Sequence, residues 1–260
     1  TVHERGKDRV GIVKLGTNDI AEPDISGGYI FKRDHGSASG NWRGWGGPPR
    51  ASDDGVGFQT PRGLRLFFTD PKEDELTKAQ RDWLARYVTR FENVLHSGEF
   101  TSPTDGYAKY LDVDAFIDHF WLVEISKNID AFRYSAFMHK PRNGKIVMGP
   151  CWDWNLSFGN ADYYDAYETS GWYYRLLRDT EISWHERLSE DPEYVKRSNA
   201  RWAELRRDTF ATERVLRRVD ELAAEIKEAQ ARNFRRWPIL GRYVNPNYYA
   251  GATYDDEIVW

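Results

Sequence analysis

The sequence predicts an α+β fold with a β-rich front and a helical back. Three observations carry this. Short β-branched and aromatic runs, punctuated by Gly, Pro, Asp and Asn, fill residues 1 to 70. From Leu76 onward apolar residues recur every three or four positions. Between two helical stretches lies a hairpin signal.

The front elements are Val10-Gly11-Ile12-Val13, Tyr29-Ile30-Phe31 and Leu64 to Phe68. His35 to Gly57 is rich in glycine and reads as a long surface loop, lacking both the P-loop ending and the glycine spacing of a kinase phosphate loop. Asp70-Pro71-x-Glu73 reads as a helix start, with Asp70 as cap and Pro71 at the first position. Leu76, Trp83, Leu84, Tyr87, Val88, Phe91 and Leu95 then line one face up to Gly98. A second helix is expected after Asp112, with Val113, Phe116, Ile117, Phe120 and Trp121 inward. Arg133 to His139 and Lys145 to Met148 form a hairpin around Pro141-Arg142-Asn143-Gly144. Asp191-Pro192 opens a further helix, and Thr209 to Arg232 reads as another. No repeat or low-complexity linker divides the chain, so residues 1–260 are expected to be one domain. The chain starts at Thr1 without an initiator Met, and that domain is expected to lack its N-terminal segment.

Composition narrows the class. In 260 residues, 40% are hydrophobic and 15% aromatic, which excludes a disordered chain. The net charge of −4 argues against a general nucleic-acid or anionic-membrane binder. No run of about 18 apolar residues suggests a membrane span. The single Cys151 excludes an internal disulfide and a cysteine-based zinc site, and its apolar neighbours predict a buried, inert thiol. The six His residues lack paired ligand spacing; His119 and His139 read as surface or packing residues. Arginines 201, 206, 207, 217, 218, 232, 235 and 236 read as solvated helix faces with Glu204, Glu213, Glu221 and Glu225 as partners.

The densest polar cluster is Asn128-Ile129-Asp130-Ala131-Phe132-Arg133-Tyr134-Ser135. Asp153 follows Asp130 by 23 residues, beyond the far strand of the hairpin, within Gly149-Pro150-Cys151-Trp152-Asp153-Trp154-Asn155. A hairpin returns its second strand beside its first, so both carboxylates are expected at one end of the ladder, walled by Trp152 and Trp154. With amide oxygens from Asn155 or Asn160 they form a hard-oxygen set suited to Mg²⁺ or Mn²⁺. The competing reading makes both aspartates turn and cap residues.

These residues carry a resemblance. Tyr107-Ala-Lys-Tyr-Leu-Asp-Val-Asp-Ala-Phe-Ile-Asp118, Glu124-Ile-Ser-Lys-Asn-Ile-Asp130, Ser135, Gly149 to Asn155 and Phe158-Gly-Asn160 resemble the CotH family of spore-coat kinase-like proteins. Weaker similarity extends upstream through Gly28-Tyr29-Ile30 and downstream to Trp237-Pro238. The resemblance implies a diverged protein-kinase-like fold and ATP-dependent phosphorylation of Ser or Thr on protein substrates. It places Asp130 as the catalytic-loop aspartate and Asp153 as the metal-binding one, with Asn155 as a further metal ligand. Ser135, five residues past Asp130, stands where ordinary kinases place a metal-binding Asn, and Asn128 and Asn160 are pattern residues of the nucleotide site. The implied cofactors are ATP and Mg²⁺ or Mn²⁺, the partner a coat or surface protein, and the location secreted or envelope-associated.

Two departures stand out. The family pattern Trp-Asp-Phe-Asp ends here in Asn155, removing a negative charge. Lys7, Arg9, Lys14, Lys32 and Arg33 are available cations, but none sits in a mappable pattern. Asn155 and the expected lack of an N-terminal segment favour an alternative: a catalytically inactive, kinase-like surface or coat binding protein. A carbohydrate-active enzyme is the third reading, since tryptophans with paired aspartates also suit a sugar cleft.

Overall fold

Strand and helix formers segregate along the chain, and tertiary pairing then gathers the strands into one layer. The computed structural model describes residues 11–34, 55–176 and 184–260. Five strands, β1 (Tyr29–Arg33), β2 (Phe58–Gln59), β3 (Arg65–Asp70), β4 (Ala136–Lys140) and β5 (Val147–Met148), form an antiparallel sheet in the order β2-β3-β1-β4-β5. With the helices this is an α+β architecture. β1 is central, and its Tyr29-Ile30-Phe31 run is apolar without alternation because both faces are buried.

Two front expectations change. Gly11–Val13 forms no strand; Val13 is exposed and pairs with no ladder. Asp70 does not cap a helix, because β3 continues through it and pairs it with Ile30. The helix α1 (Lys78–Leu95) starts later, where Thr77 accepts from the Gln80 amide and Gln80 Oε1 accepts from the Thr77 amide. Its buried face is Leu84, Val88, Phe91 and Leu95, as the spacing predicts.

Helix α2 (Val113–Ser126) begins as expected, with Asp112 accepting from the Ala115 amide at 3.0 Å. It is apolar nearly all round and lies inside the molecule, ending at Lys127, whose φ of +44° turns the chain. That placement aims residues 128–135 at the sheet's edge. Short helices α3 (Tyr173–Leu176) and α4 (Trp184–Leu188) pack beside it. On its other flank lies α5 (Pro192–Arg207), capped by Asp191, whose second oxygen accepts from the Tyr107 hydroxyl at 2.6 Å. Trp121 stacks on Trp202 at 4.4 Å, and Arg201 pairs with Asp118 across the same seam.

The expected helix over Thr209 to Arg232 is two helices, α6 (Thr212–Glu225) and α7 (Lys227–Arg236), meeting at Ile226. Arg201, Arg218 and Arg232 pair with Glu204, Glu221 and Glu228 on solvated faces. A tail from Pro238 ends in α8 (Tyr254–Val259). Among the described residues no helix is long and apolar enough to cross a membrane.

Candidate active site

The turn after α2 is built by one buried amide side chain. Asn128 is 1% exposed; its Oδ1 accepts from the amides of Asp130 at 3.0 Å and Ala131 at 2.9 Å, closing an Asx turn. Its Nδ2 donates to the Ser157 hydroxyl at 3.0 Å. Asn128 therefore ties the Asp130 turn to the loop that follows Asp153.

Asp130 sits half-buried on this turn, its carbonyl accepting from the amides of Arg133 and Tyr134. Arg133 is buried beneath it: Nε donates to the Ile129 carbonyl at 3.0 Å and Nη2 lies 3.7 Å from the Asp130 carboxylate. The guanidinium stacks over the Tyr164 ring at 4.4 Å. Tyr173 anchors the same turn from another side, donating its hydroxyl to Ile129 O at 2.6 Å. Burial pushes the Asp130 carboxyl above the usual range; Arg133 opposes this, and the negative charges of Asp153 and Asp34 add to it. Asp130 thus feels two other carboxylates.

Asp153 is exposed on the far side of the β4–β5 hairpin, in the left-handed region at φ +59°. The hairpin does bring it within electrostatic reach of Asp130, as its spacing predicts. Asn155 is exposed, and its backbone oxygen accepts from Asn160 Nδ2 at 2.7 Å, so the Asn160 amide shapes the loop. Ser135 is half-buried with φ +49° and immediately precedes β4. The register pairs Arg33 with Ala136, so Asp34 and Ser135 emerge at the same sheet end.

The tryptophan wall forms only in part. Trp154 turns inward against His119, but Trp152 is 45% exposed and rests on Phe137. Cys151 is exposed rather than buried, because the segment after Met148 leaves the sheet. His119 and His139 are both buried packing residues.

Reading along the chain missed Asp34, which reaches the site through the β1–β4 pairing between residues about a hundred positions apart. It also missed the ring cluster Tyr163, Tyr164 and Tyr173 around Asp130 and Arg133. No local spacing signals either. Among the available cations, Lys14 is exposed, Lys32 pairs with Asp34 at 2.8 Å, and Arg33 Nη1 donates to Phe132 O. Lys7, Arg9 and most of the Gly-rich stretch lie outside the described residues.

The side chains gathered near Asp130 offer carboxylate and amide oxygens, the donor type a hard divalent ion takes. Among the described residues no three His, Cys, Asp or Glu side chains converge as a closed metal cage. Mg²⁺ with a nucleotide needs none, since it takes one or two carboxylates and fills its remaining positions with phosphate and water.

The tail clasps this region. Tyr243 donates to Asp162 at 2.6 Å, the Asp162 amide donates to Pro246 O at 2.8 Å, and Tyr167 stacks on Tyr248 at 3.8 Å. Trp260 packs against Gly159, whose φ of +76° and close approach leave no room for a side chain.

No curated protein and no solved structure matches the chain. The family described as CotH kinase protein matches residues 49–260, which include every candidate site residue except Asp34 and leave the weak upstream similarity at Gly28 to Ile30 outside. With most of its length matched, the chain belongs to the CotH kinase protein family.

Proposed function

We propose that this domain, one unit over residues 1–260 with a diverged kinase-like fold, transfers the γ-phosphoryl group of ATP to a Ser or Thr hydroxyl of a protein substrate. The observation that supports this is the Asp130 turn, closed by Asn128 and bonded through Ser157 to the loop that follows Asp153, with the Asp153 charge adding to the raised proton affinity of Asp130. Bound ATP with Mg²⁺ or Mn²⁺ would supply the phosphoryl group and neutralise the charge that develops on it.

The chain's own residues then take these roles. Asp130 orients the acceptor hydroxyl and takes up its proton, a task its raised proton affinity favours. Arg133 holds the Asp130 carboxylate from below. Asp153 and the amide oxygen of Asn155 hold the ion, and Ser135 stands at the sheet end as a further oxygen donor. Asn128 and Asn160 contribute by setting the backbone of the two loops that frame the nucleotide. A coat or surface protein as acceptor, and a secreted or envelope location, rest on the family relation alone.

The second reading, a non-catalytic binding protein on the same scaffold, draws on Asn155, which leaves the metal loop with one carboxylate. Calorimetric titration of ATP with Mn²⁺ separates the two. The proposal expects binding in the native chain and loss in Asp153→Ala, while Asp130→Asn still binds but transfers no phosphate. Absence of binding by the native chain supports the binding protein.

A further inference from the structure

Helix α6 carries an apolar stripe that nothing among the described residues covers. Val215, Val219 and Leu222 on the helix and Ile226 at its C-cap follow one another at spacings of four, three and four, the a/d rhythm of a two-stranded coiled coil. Leu222 is 47% exposed and Ile226 48%, and Leu216 on the stripe's flank is 58% exposed. No residue of α6 is buried. Its charges, Arg214, Arg217 and Arg218 against Glu213, Asp220, Glu221 and Glu225, do not make the basic face that an anionic membrane surface selects.

The charges flanking the stripe select its occupant. With Val219 and Ile226 at a and Val215 and Leu222 at d, Arg218 and Glu225 both occupy g positions and Leu216 and Ala223 both occupy e positions. In an antiparallel pair of identical helices, Val219 meets the partner's Leu222 and Val215 meets the partner's Ile226. In that register g faces g, so Arg218 lies opposite the partner's Glu225, and two-fold symmetry repeats the ion pair. Leu216 then lies opposite the partner's Ala223. A parallel pair would instead set Arg218 against the partner's Ala223, with no charge complement.

We infer that α6 is a homodimerisation surface on which a second copy of this chain docks antiparallel, Val219 against the partner's Leu222 and Arg218 against the partner's Glu225. The stripe from Val215 to Ile226 is about 17 Å long, so the interface falls below the about 1,200–2,000 Å² of a standard complex and the dimer is weak. Arg218, which bonds Glu221 at 3.0 Å within its own helix, exchanges that exposed pair for the intermolecular one.

Sedimentation velocity on the full chain from about 5 to 200 µM, a range that captures weak interfaces, tests this. The expected result is a concentration-dependent monomer–dimer equilibrium that Leu222→Glu abolishes. Arg218→Glu or Glu225→Arg alone weakens it about tenfold, because two attractive pairs become repulsive. The double variant, and an equimolar mixture of the two single variants, both restore it. A monomer at every concentration overturns the proposal, as does a dimer that survives Leu222→Glu or charge reversals that the swap does not rescue. Unchanged melting of the variants shows that folding is not what moved.

Discussion

Asn128 Nδ2 donates to the Ser157 hydroxyl at 3.0 Å, and with the backbone bonds from Ile129 to Leu156 and from Phe158 to Ser126 it joins the two loops that carry the candidate catalytic carboxylates. The other end of the same amide holds the Asp130 and Ala131 backbone N–H groups. Asn128→Ala leaves two buried N–H donors without their acceptor. It is expected to cost about 2–4 kcal/mol of stability, measured by urea unfolding. A cost under about 0.5 kcal/mol, the range of an ordinary surface change, would sink this assignment.

Asp130 supplies a pH signature. Its folded proton affinity is raised, first by burial, so the folded state binds more protons than the unfolded one across the window from the ordinary carboxylate range up to the raised value. Stability from this group therefore falls as pH rises through that window. Asp130→Asn lacks the effect, so paired urea melts from about pH 3.5 to 7 should show the variant gaining on the native chain as pH rises. Parallel curves would mean that Asp130 is not desolvated.

His119 and His185 give the opposite slope. Their rings stack at 5.6 Å among Phe116, Phe120, Phe132 and Trp154, and neither Nδ1 has a hydrogen-bond partner among the described residues. Burial pulls His119 down to about 4 and His185 well below its ordinary value, with the neighbouring His119 adding to the latter. The unfolded state binds more protons below the ordinary histidine value, so stability is present at neutral pH and lost as pH falls from there. His119 alone is expected to account for a loss on the order of 3 kcal/mol once pH has dropped past its folded value. His119→Phe should flatten acid unfolding curves followed by circular dichroism; an unchanged acid midpoint would contradict the buried pair.

The tail contacts predict coupling between distant segments. Removing residues 239–260 deletes Tyr243, Tyr248 and Trp260 from the 159–167 loop. Hydrogen exchange of amides 159–167 should accelerate, while β1 and β4, whose backbones are paired in the sheet, keep their protection. Gly159→Ala should produce the same local acceleration in the full chain, because its φ of +76° strains any side chain and the added methyl collides with the Trp260 ring.

Much of this protein is legible along the chain because the determinants are local. The caps at Asp112 and Asp191 are settled within three residues, since a side-chain oxygen meets an amide of its own first turn. The β4–β5 hairpin is settled by its turn. The motif around Trp152-Asp153 suffices to name the family. Where a local signal competed with pairing, pairing won: the Asp70-Pro71 helix start yields to a β3 ladder reaching Asp70, while Gly11–Val13 joins no ladder among the described residues.

What the tertiary structure alone decides is which distant residues share the site. Asp34 comes within electrostatic reach of Asp130 because β1 pairs with β4, Tyr164 covers Arg133 from a loop the tail clasps, and Trp152 stays outside while Trp154 turns in. These are consequences of burial and strand register between segments far apart. Their free energy depends on the folded surroundings rather than on neighbouring residues, so no pattern in the chain announces them.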